Sequence, residues 1–532
     1  MTLILLASAK RFVDKGNASC VGAKAFIALA GGPAMESEQT GSSPEVQSTF
    51  ARIFGLEQPS ENAVKLIKIL VVLMPSFAMS FQISTTFWMI HIAETLGGEG
   101  GYLAGLTLVG FLVVIQLAIQ TLLDYPTGAI GDWIGQRYVI ASALICYGIA
   151  FWITSIVTED SPFIMFVAIY ALMGLGASQE SGAFNAWFDN NYRVAMPHDK
   201  DRKMYGVFWG RMGMIWQVSS TLVLLPGSWL AMLYARQVVF TGQAVASILL
   251  AIAVLNLVKD LPGVRDESEE RPSLREYGGL LKDGFKFLWS SRFISFIMMG
   301  EILLWSTGPV WWNILLFPLY FSYLLTEVAV SSYRTWIFIP QAILNERSGV
   351  WAKRFDAKKW VPRLRVLQFG SVLFYLVVAI ITQLLPAPDP ATTEFVNVVI
   401  PFLNLSILEL PVQSVLPAAL LFLTFTVLSI FGGIAGILTQ RVMLDVIPNR
   451  IRNSMYSLQP TLVMLVSMPL IAFFGWFVPV YGFPLTFTLC AIISLFGVAL
   501  IKKAFDQEIP KAEDIVPATK EEREIVEDLE VT

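Results

Sequence analysis

The chain has 532 residues, of which 55% are hydrophobic and only 15% are charged. Soluble domains carry about 25% charged residues, so this composition argues against a soluble enzyme and a disordered protein. The net charge of −4 gives no basic field for a nucleic acid. The 3 cysteines and 2 histidines are too few and too scattered for a metal centre or a disulfide framework, and we expect no metal and no cofactor.

The first 61 residues contain one apolar run, which is too short to span a membrane, followed by polar sequence rich in Gly and Ser. We expect a disordered N-terminal leader over residues 1–61. The sequence from Met35 also resembles an ordinary N-terminus, so Met35 is an alternative start of translation.

Apolar runs of about 20 residues, the length that crosses a bilayer, follow the leader and recur twelve times. Six runs predict an N-terminal half over residues 62–258, and six more predict a C-terminal half over residues 292–504. The predicted spans are 66–92, 102–123, 138–157, 163–187, 205–233, 238–258, 293–319, 328–345, 366–385, 416–442, 461–480 and 483–501.

A charged segment over residues 259–291 separates the two predicted halves. It contains a capping box from Ser273 to Glu276, followed by apolar residues at helical spacing. We expect a central cytoplasmic loop with an amphipathic helix on the membrane surface, and residues 505–532 predict a charged cytoplasmic tail.

Lys and Arg concentrate in alternate loops, which predicts the orientation in the membrane. The opposite loops carry mainly acidic residues, with Arg236 as their single base; these acids are Glu94, Glu99, Glu159, Asp160, Glu327, Asp389 and Glu394. We therefore expect an integral, multi-pass protein of the cell membrane with both termini in the cytoplasm.

The sequence after the second span, DYPTGAIGDWIGQR, runs from Asp124 to Arg137. It resembles the loop signature of the major facilitator superfamily, G-x-x-x-D-x-x-G-[RK]-[RK]. Together with the twelve runs, the resemblance implies an all-α polytopic membrane protein with two pseudo-symmetric six-helix halves. It also implies a secondary transporter that works by alternating access.

The same resemblance implies that Asp132 and Arg137 make charge contacts that hold the cytoplasmic side closed. Gly128, Gly131 and Gly135 are then residues of the turn. Trp133 and Gln136 depart from the signature, because basic residues are common at their positions, and we expect a thinner charge network here.

A second resemblance to this superfamily covers the end of the fourth span, ESGAFNAWFD, from Glu180 to Asp189. Its echo in the second half includes Arg441 and Asp445. We expect these charges, with Arg211 of the fifth span, to form an intramembrane charge pair or a cytoplasmic gate. Substrate binding by Arg211 is the alternative.

Glu301 lies nine residues past Arg292, about 13 Å into the bilayer at the rise of an α-helix. A charge at this depth is costly and marks a functional site or a structural pair. Trp305, Gly308 and Trp312 share its predicted helical face. Glu301 is thus a candidate for proton coupling or cation binding beside an aromatic wall, or else the partner of a structural salt bridge.

Arg334 lies midway along the eighth span and has two interpretations of the same kind. It binds an anionic substrate through its guanidinium group, or it is the static partner of Glu301. On the second span, Gln116, Gln120 and Asp124 form a polar stripe at i, i+4 and i+8. That stripe lines a water-filled path or makes hydrogen bonds between helices.

These features predict a transporter for a small solute, with protons as the driving ion and Glu301 as the titrating residue. The solute is either a lipophilic or cationic compound, bound by Glu301 with Trp305 and Trp312, or an organic anion, bound by Arg334 and Arg211. The alternative is a non-transporting receptor or a membrane enzyme. We expect no enzyme, because no nucleophile–base arrangement stands out, and we expect a functional monomer within the lipid bilayer.

Overall fold

The structure is a computed structural model that describes residues 54, 56, 60–199, 203–264, 285–354, 357–447, 449–508 and 510. The predicted amphipathic helix of the central loop falls almost wholly outside these residues, as do most of the leader and the tail. Phe54 and Leu56 of the leader segment are buried, and the Ser60 hydroxyl accepts a hydrogen bond from the Ala63 amide at the start of the first helix.

The first half of the described chain folds into helices with short connections. They are α1 (Glu61–Gln82), α2 (Trp88–Gly97), α3 (Gly101–Ile134), α4 (Gln136–Ile156), α5 (Phe163–Ala195), α6 (Lys203–Leu233) and α7 (Arg236–Leu257). Turns between Gln82 and Trp88 separate α1 from α2. The predicted span 66–92 is therefore one crossing made of two helices.

The second half continues with α8 (Arg292–Val310), α9 (Leu316–Leu324), α10 (Glu327–Arg354), α11 (Ala357–Leu384), α12 (Val415–Val446) and α13 (Asn449–Phe505). A π-helical turn over Trp311–Leu315 joins α8 to α9 within one crossing. Helix α13 crosses twice, because Gly482 has φ of 76° and breaks it into two helices. Within the described residues, seven of the helical stretches are long and apolar enough to cross a membrane, and the order of the helices follows the order of the predicted spans.

Two antiparallel strands, β1 (Phe395–Ile400) and β2 (Leu405–Pro411), lie between α11 and α12. The strands pair from Phe395 opposite Pro411 to Ile400 opposite Leu405, with a bulge between Val398 and Val399. This hairpin was not expected from the sequence. We call the end of the bundle that carries it the hairpin end, and the end that carries the turn at Gly135 the Gly135 end.

The buried apolar residues show where the two halves meet. The largest cluster lies towards the hairpin end and combines residues of both halves, such as Phe240 and Ile314. Towards the Gly135 end, one cluster draws only on the first half, for example Phe208, and another only on the second, for example Phe293. Among the described residues, the halves thus share a core at the hairpin end and have separate cores at the Gly135 end.

Candidate functional site

Glu301 is buried on α8, with 4% of its surface exposed. One carboxylate oxygen accepts a hydrogen bond from the indole N–H of Trp305 at 2.7 Å, and the other accepts one from Nε2 of Gln368 at 3.2 Å. Gln368 lies on α11 and also donates to the hydroxyl of Thr439 on α12 at 3.0 Å. Neutral donors from the second half therefore hold this carboxylate.

Gln368 is a site residue that the sequence analysis missed. It is 2% exposed, and its Oε1 has no hydrogen-bond partner among the described residues. The available signal was an amide side chain within the apolar ninth span, because burying an amide without a partner is costly, as it is for the carboxylate of Glu301.

Arg334 is buried on α10, with 6% of its surface exposed. Three aromatic rings surround its guanidinium carbon, at 5.5 Å from the centre of Trp312, 4.9 Å from Phe317 and 5.0 Å from Phe338. Within the described part of the chain its Nη1 has no hydrogen-bond partner. The expected salt bridge between Glu301 and Arg334 is wrong, since each side chain has other neighbours.

The aromatic face of α8 connects these two charged residues. Trp305 contacts Glu301 and Trp312 contacts Arg334, while each indole remains about half exposed, at 50% and 51%. Cation–π contacts offset part of the cost of burying a guanidinium group. They leave its N–H donors free for an acceptor, so this region suits a ligand that carries hydrogen-bond acceptors.

The expected pairs of Arg211 with Glu180 and Asp189 do not form. Glu180 accepts a hydrogen bond from the Tyr147 hydroxyl at 3.0 Å, and Asp189 pairs with Arg193 of its own helix at 3.1 Å.

Arg211 instead points at the sulfur of Met214, at 4.0 Å. Arg211 lies on α6, whereas both carboxylates lie on α5. The sulfur of Met214 is a weak hydrogen-bond acceptor, so it stabilises the guanidinium group only weakly. The side chains of Arg441 and Asp445 lie outside the described residues, so a gate that includes them stays a prediction.

The sequence from Asp124 to Ile134 was expected to be a loop and is the last part of α3. The connection to α4 is the single residue Gly135, whose φ of 105° favours glycine, and whose amide donates to the Gly131 carbonyl at 2.9 Å. Gly128 and Gly131 are helical, so their predicted role as turn residues is wrong.

Asp132 also lies on α3, although its side chain is outside the described residues. Arg137 lies in the first turn of α4, where its guanidinium group sits 4.6 Å from the ring centre of Tyr138. It also donates to the Tyr138 hydroxyl at 2.7 Å.

Gln116, Gln120 and Asp124 lie on the uninterrupted helix α3, so their spacing does place them on one face. At Gln116 the backbone of α3 packs against Gly174 of α5, where a side chain larger than hydrogen has no room. A role of this stripe in a water-filled path stays a prediction.

An ion pair at the hairpin end joins the two halves, and the sequence analysis missed it. Arg236, at the start of α7, pairs with Glu94 of α2 and, at 2.5 Å, with Glu327 of α10. We name Glu94, Arg236 and Glu327 the clasp. The signal was present in the sequence: Arg236 is the lone base among the acidic loops of this face and needs an acidic partner.

Further contacts between the halves surround the clasp. Buried hydroxyls join Thr86 and Ser228 of the first half to Ser331 of the second, at 3.0 and 2.6 Å. The Trp229 indole donates to the Ser406 carbonyl of the hairpin at 2.8 Å, so the hairpin bridges both halves.

Within the described residues, the structure contains no group of three or more His, Cys, Asp or Glu side chains that suits a metal ion. No protein-family profile matches the sequence, and no curated protein is similar to it.

The fold is similar to the crystal structure of the nucleoside transporter NupG, with a TM-score of 0.58 and 12% sequence identity over 84% of this chain and 100% of that one. A point mutant of NupG matches with a TM-score of 0.57 and 13% identity over 83% of this chain and 99% of that chain. The chain therefore has the fold of that transporter, and at this level of identity the similarity establishes the fold alone.

Proposed function

We propose that the protein is a secondary transporter that moves a small organic anion across the cell membrane by alternating access. The observation that carries this proposal is the guanidinium group of Arg334, which is buried within aromatic rings and whose Nη1 has no partner in the part of the chain that the structure describes. A carboxylate or phosphate group of a solute supplies the missing acceptor through charge-assisted hydrogen bonds.

The arrangement of the cores supports alternating access. The halves share a core and an ion pair at the hairpin end and have separate cores at the Gly135 end. With both termini cytoplasmic, as the positive-inside rule indicates, this is a state open to the cytoplasm. Rocking of the halves 62–258 and 292–504 about the centre then exposes Arg334 to the other side.

Glu301 is the candidate for proton coupling. Its carboxylate is buried beside neutral donors, and no cation of the described residues pairs with it. The cost of such a charge in a membrane interior favours protonation at one stage of a transport cycle. We propose a monomer that couples the entry of protons to movement of the anion.

A nucleoside is the second candidate solute. The similar fold of NupG belongs to a nucleoside transporter, and here the half-exposed Trp305 lies beside the hydrogen-bonding groups of Glu301 and Gln368. An aromatic ring next to an amide and a carboxylate suits a base and a sugar hydroxyl. A lipophilic cation is less favoured, because the guanidinium group of Arg334 already lies against the Trp312 ring and would repel a second positive charge.

The test is a thermal-shift screen of the purified protein against organic anions, nucleosides and lipophilic cations. A ligand that binds the folded state raises its apparent stability. We expect an anion to raise the melting temperature, and Arg334→Gln to abolish the shift. Arg334→Lys should retain only part of the shift, because an ammonium group keeps the positive charge but cannot form the two parallel hydrogen bonds of a guanidinium group. Arg292→Gln, at an exposed position at the start of α8, is the matched control and should keep the full shift.

Two results would overturn this assignment. A nucleoside shift that persists in Arg334→Gln would move the site to Glu301 and Gln368. Binding without solute flux in proteoliposomes would identify a receptor instead of a transporter.

A further inference from the structure

A cleft of about 330 Å³ opens at the Gly135 end, between the beginning of α4 and the segment that follows α7. Its size matches a small polar group such as a phospholipid headgroup. The lining residues are Gly135, Arg137, Tyr138, Lys259, Asp260, Leu261, Pro262 and Gly263. None of them belongs to the region around Glu301 and Arg334.

The cleft holds two cations that have no acidic partner among the described residues. Within the described part of the chain, neither Arg137 nor Lys259 forms a salt bridge. The Tyr138 hydroxyl accepts a hydrogen bond from one N–H of Arg137, and the other N–H groups of the guanidinium are available to a ligand. Asp260 is the one acid of the lining, and its carboxylate accepts a hydrogen bond from the Asn191 amide at 3.3 Å.

The backbone adds to the attraction for an anion. Helix α4 has 21 residues and begins at the cleft, and no side chain caps its N-terminus at Gly135. The free amide groups and the macrodipole of a helix favour negative charge at this position. This contribution reinforces the two cations, which are the primary ligands.

Two lipid-facing helix surfaces lead into the cleft. Helix α4 exposes apolar side chains along its length, and so does α7; examples are Ile145, Ile149 and Trp152 on α4, and Val245, Leu249 and Ile252 on α7. The helices pack closely, since a Cβ placed at Gly148 would meet Ile248 at 3.0 Å. Tyr138 is 44% exposed beside the cleft, and tyrosine is a residue type that favours the membrane surface.

We infer that this cleft binds the phosphate group of an anionic phospholipid, through Arg137 and Lys259, with the acyl chains along α4 and α7. Basic pockets between membrane helices are known to hold such headgroups. Free inorganic phosphate has the same chemistry, but it gains nothing from the adjoining apolar surfaces. The inference does not depend on the solute that the protein carries.

Native mass spectrometry of the full-length protein in detergent tests this inference, with phosphatidylglycerol, phosphatidylcholine and inorganic phosphate titrated separately. We expect phosphatidylglycerol to bind more tightly than phosphatidylcholine, and the double variant Arg137→Gln/Lys259→Gln to bind it at least about tenfold more weakly. The double variant Lys65→Gln/Arg193→Gln removes two paired surface cations at the same end and should bind like the wild type.

The inference is overturned if the first double variant binds phosphatidylglycerol as the wild type does, or if phosphatidylcholine binds equally well. Binding of inorganic phosphate without phosphatidylglycerol would assign the cleft to a soluble anion. Arg137→Lys/Lys259→Arg keeps both charges, and we expect it to keep most of the binding. If it loses binding as completely as the neutral variant, the loss is structural and the ligand assignment fails.

Discussion

Glu301 and Arg334 carry opposite charges on neighbouring crossings of the same half, yet each is stabilised without the other. N–H donors of Trp305 and Gln368 surround the carboxylate, and aromatic rings surround the guanidinium group. A direct salt bridge would neutralise both and leave little attraction for a solute or a proton. Because the two side chains are separate, the same helical half contains a hydrogen-bond acceptor at Glu301 and a hydrogen-bond donor at Arg334.

The first prediction at this scale concerns Gln368. Gln368→Leu removes the donor to Glu301 and the donor to Thr439, and we expect a loss of about 1–3 kcal/mol in the free energy of unfolding. Chemical unfolding in detergent measures it. In a Glu301→Gln background the loss should shrink, because the carboxylate that needs the donor is gone. Gln237 is exposed on α7, and an equal loss from Gln237→Leu would contradict this explanation.

The second prediction concerns Glu409, on β2 near the clasp. Burial raises the pKa of the Glu409 carboxyl above its ordinary value; the hydrogen bond from Thr326 opposes the rise, and the charge of Glu327 adds to it. A carboxyl whose pKa is higher in the folded chain binds more protons there. The folded state therefore loses stability as the pH rises through the unfolded and then the folded pKa.

Glu409→Gln removes this dependence and keeps an acceptor for Thr326. We expect the variant to melt at a higher temperature than the wild type at neutral pH, with the difference shrinking as the pH falls below the ordinary carboxyl pKa. Melting curves in detergent over this pH range measure the difference. A difference that is constant with pH would show that the Glu409 charge is not its cause.

At the scale of elements, the helices were predictable and the connections were not. Runs of apolar residues fix where a span lies, because a bilayer interior tolerates little else. The glycines between Asp124 and Gly135 suggested a loop, but in this setting the backbone hydrogen bonds of α3 outweigh the low helix propensity of glycine. The hairpin lies outside the spans, where the bilayer imposes no such pattern.

The partners of the charged residues were the least predictable part of the candidate site. Glu94, Arg236 and Glu327 are far apart in sequence, and only the packing of α2, α7 and α10 brings them together. Conversely, Arg211 and Glu180 seemed matched because they lie on consecutive spans. The rotation of each helix about its axis decides such contacts, and spacing in one sequence does not determine that rotation.

The clasp gives a prediction at the scale of elements. Arg236→Glu and Glu327→Arg, each alone, place like charges across the two halves and should open the hairpin end. The double exchange restores an ion pair and should return at least part of the closed state. Disulfide crosslinking of cysteines introduced at Thr86 and Ser331, whose hydroxyls are 3.0 Å apart, reports closure.

In this assay the single charge variants should crosslink more slowly than the protein that carries only the two introduced cysteines. The double exchange should recover at least part of that crosslinking rate. Arg193→Glu, which affects a pair within one helix at the other end, is the control and should leave the rate unchanged. Equal crosslinking in all variants would mean that the apolar core alone closes this end.

At the scale of the whole molecule, the halves also meet at two glycines. A Cβ placed at Gly475 of α13 would meet the Leu106 carbonyl at 2.9 Å and the Gly110 Cα at 3.1 Å on α3. Such a close approach of two backbones needs residues without side chains. It sets the distance between the first and second halves.

Gly475→Leu should therefore force the halves apart and shift the protein away from the state closed at the hairpin end. A cysteine at Ser331, which is fully buried, should then react faster with a maleimide in a protein whose native cysteines are replaced by serine. Gly213→Leu is the matched control, because nothing lies within 4 Å of a Cβ there. Equal reaction rates in both variants would show that this contact does not control the separation.

The position of this contact along α3 has a mechanical consequence. Gly110 lies nine residues from the start of the helix and 24 residues from its end, or about 14 Å and about 36 Å at the rise of an α-helix. If the halves pivot at these glycines, the two lever arms are unequal. A displacement at the clasp is then amplified roughly two and a half times at the far end of α3. A separation of the halves by about 2 Å at the clasp would then correspond to about 5 Å at the opposite end, which is close to the pitch of one helix turn.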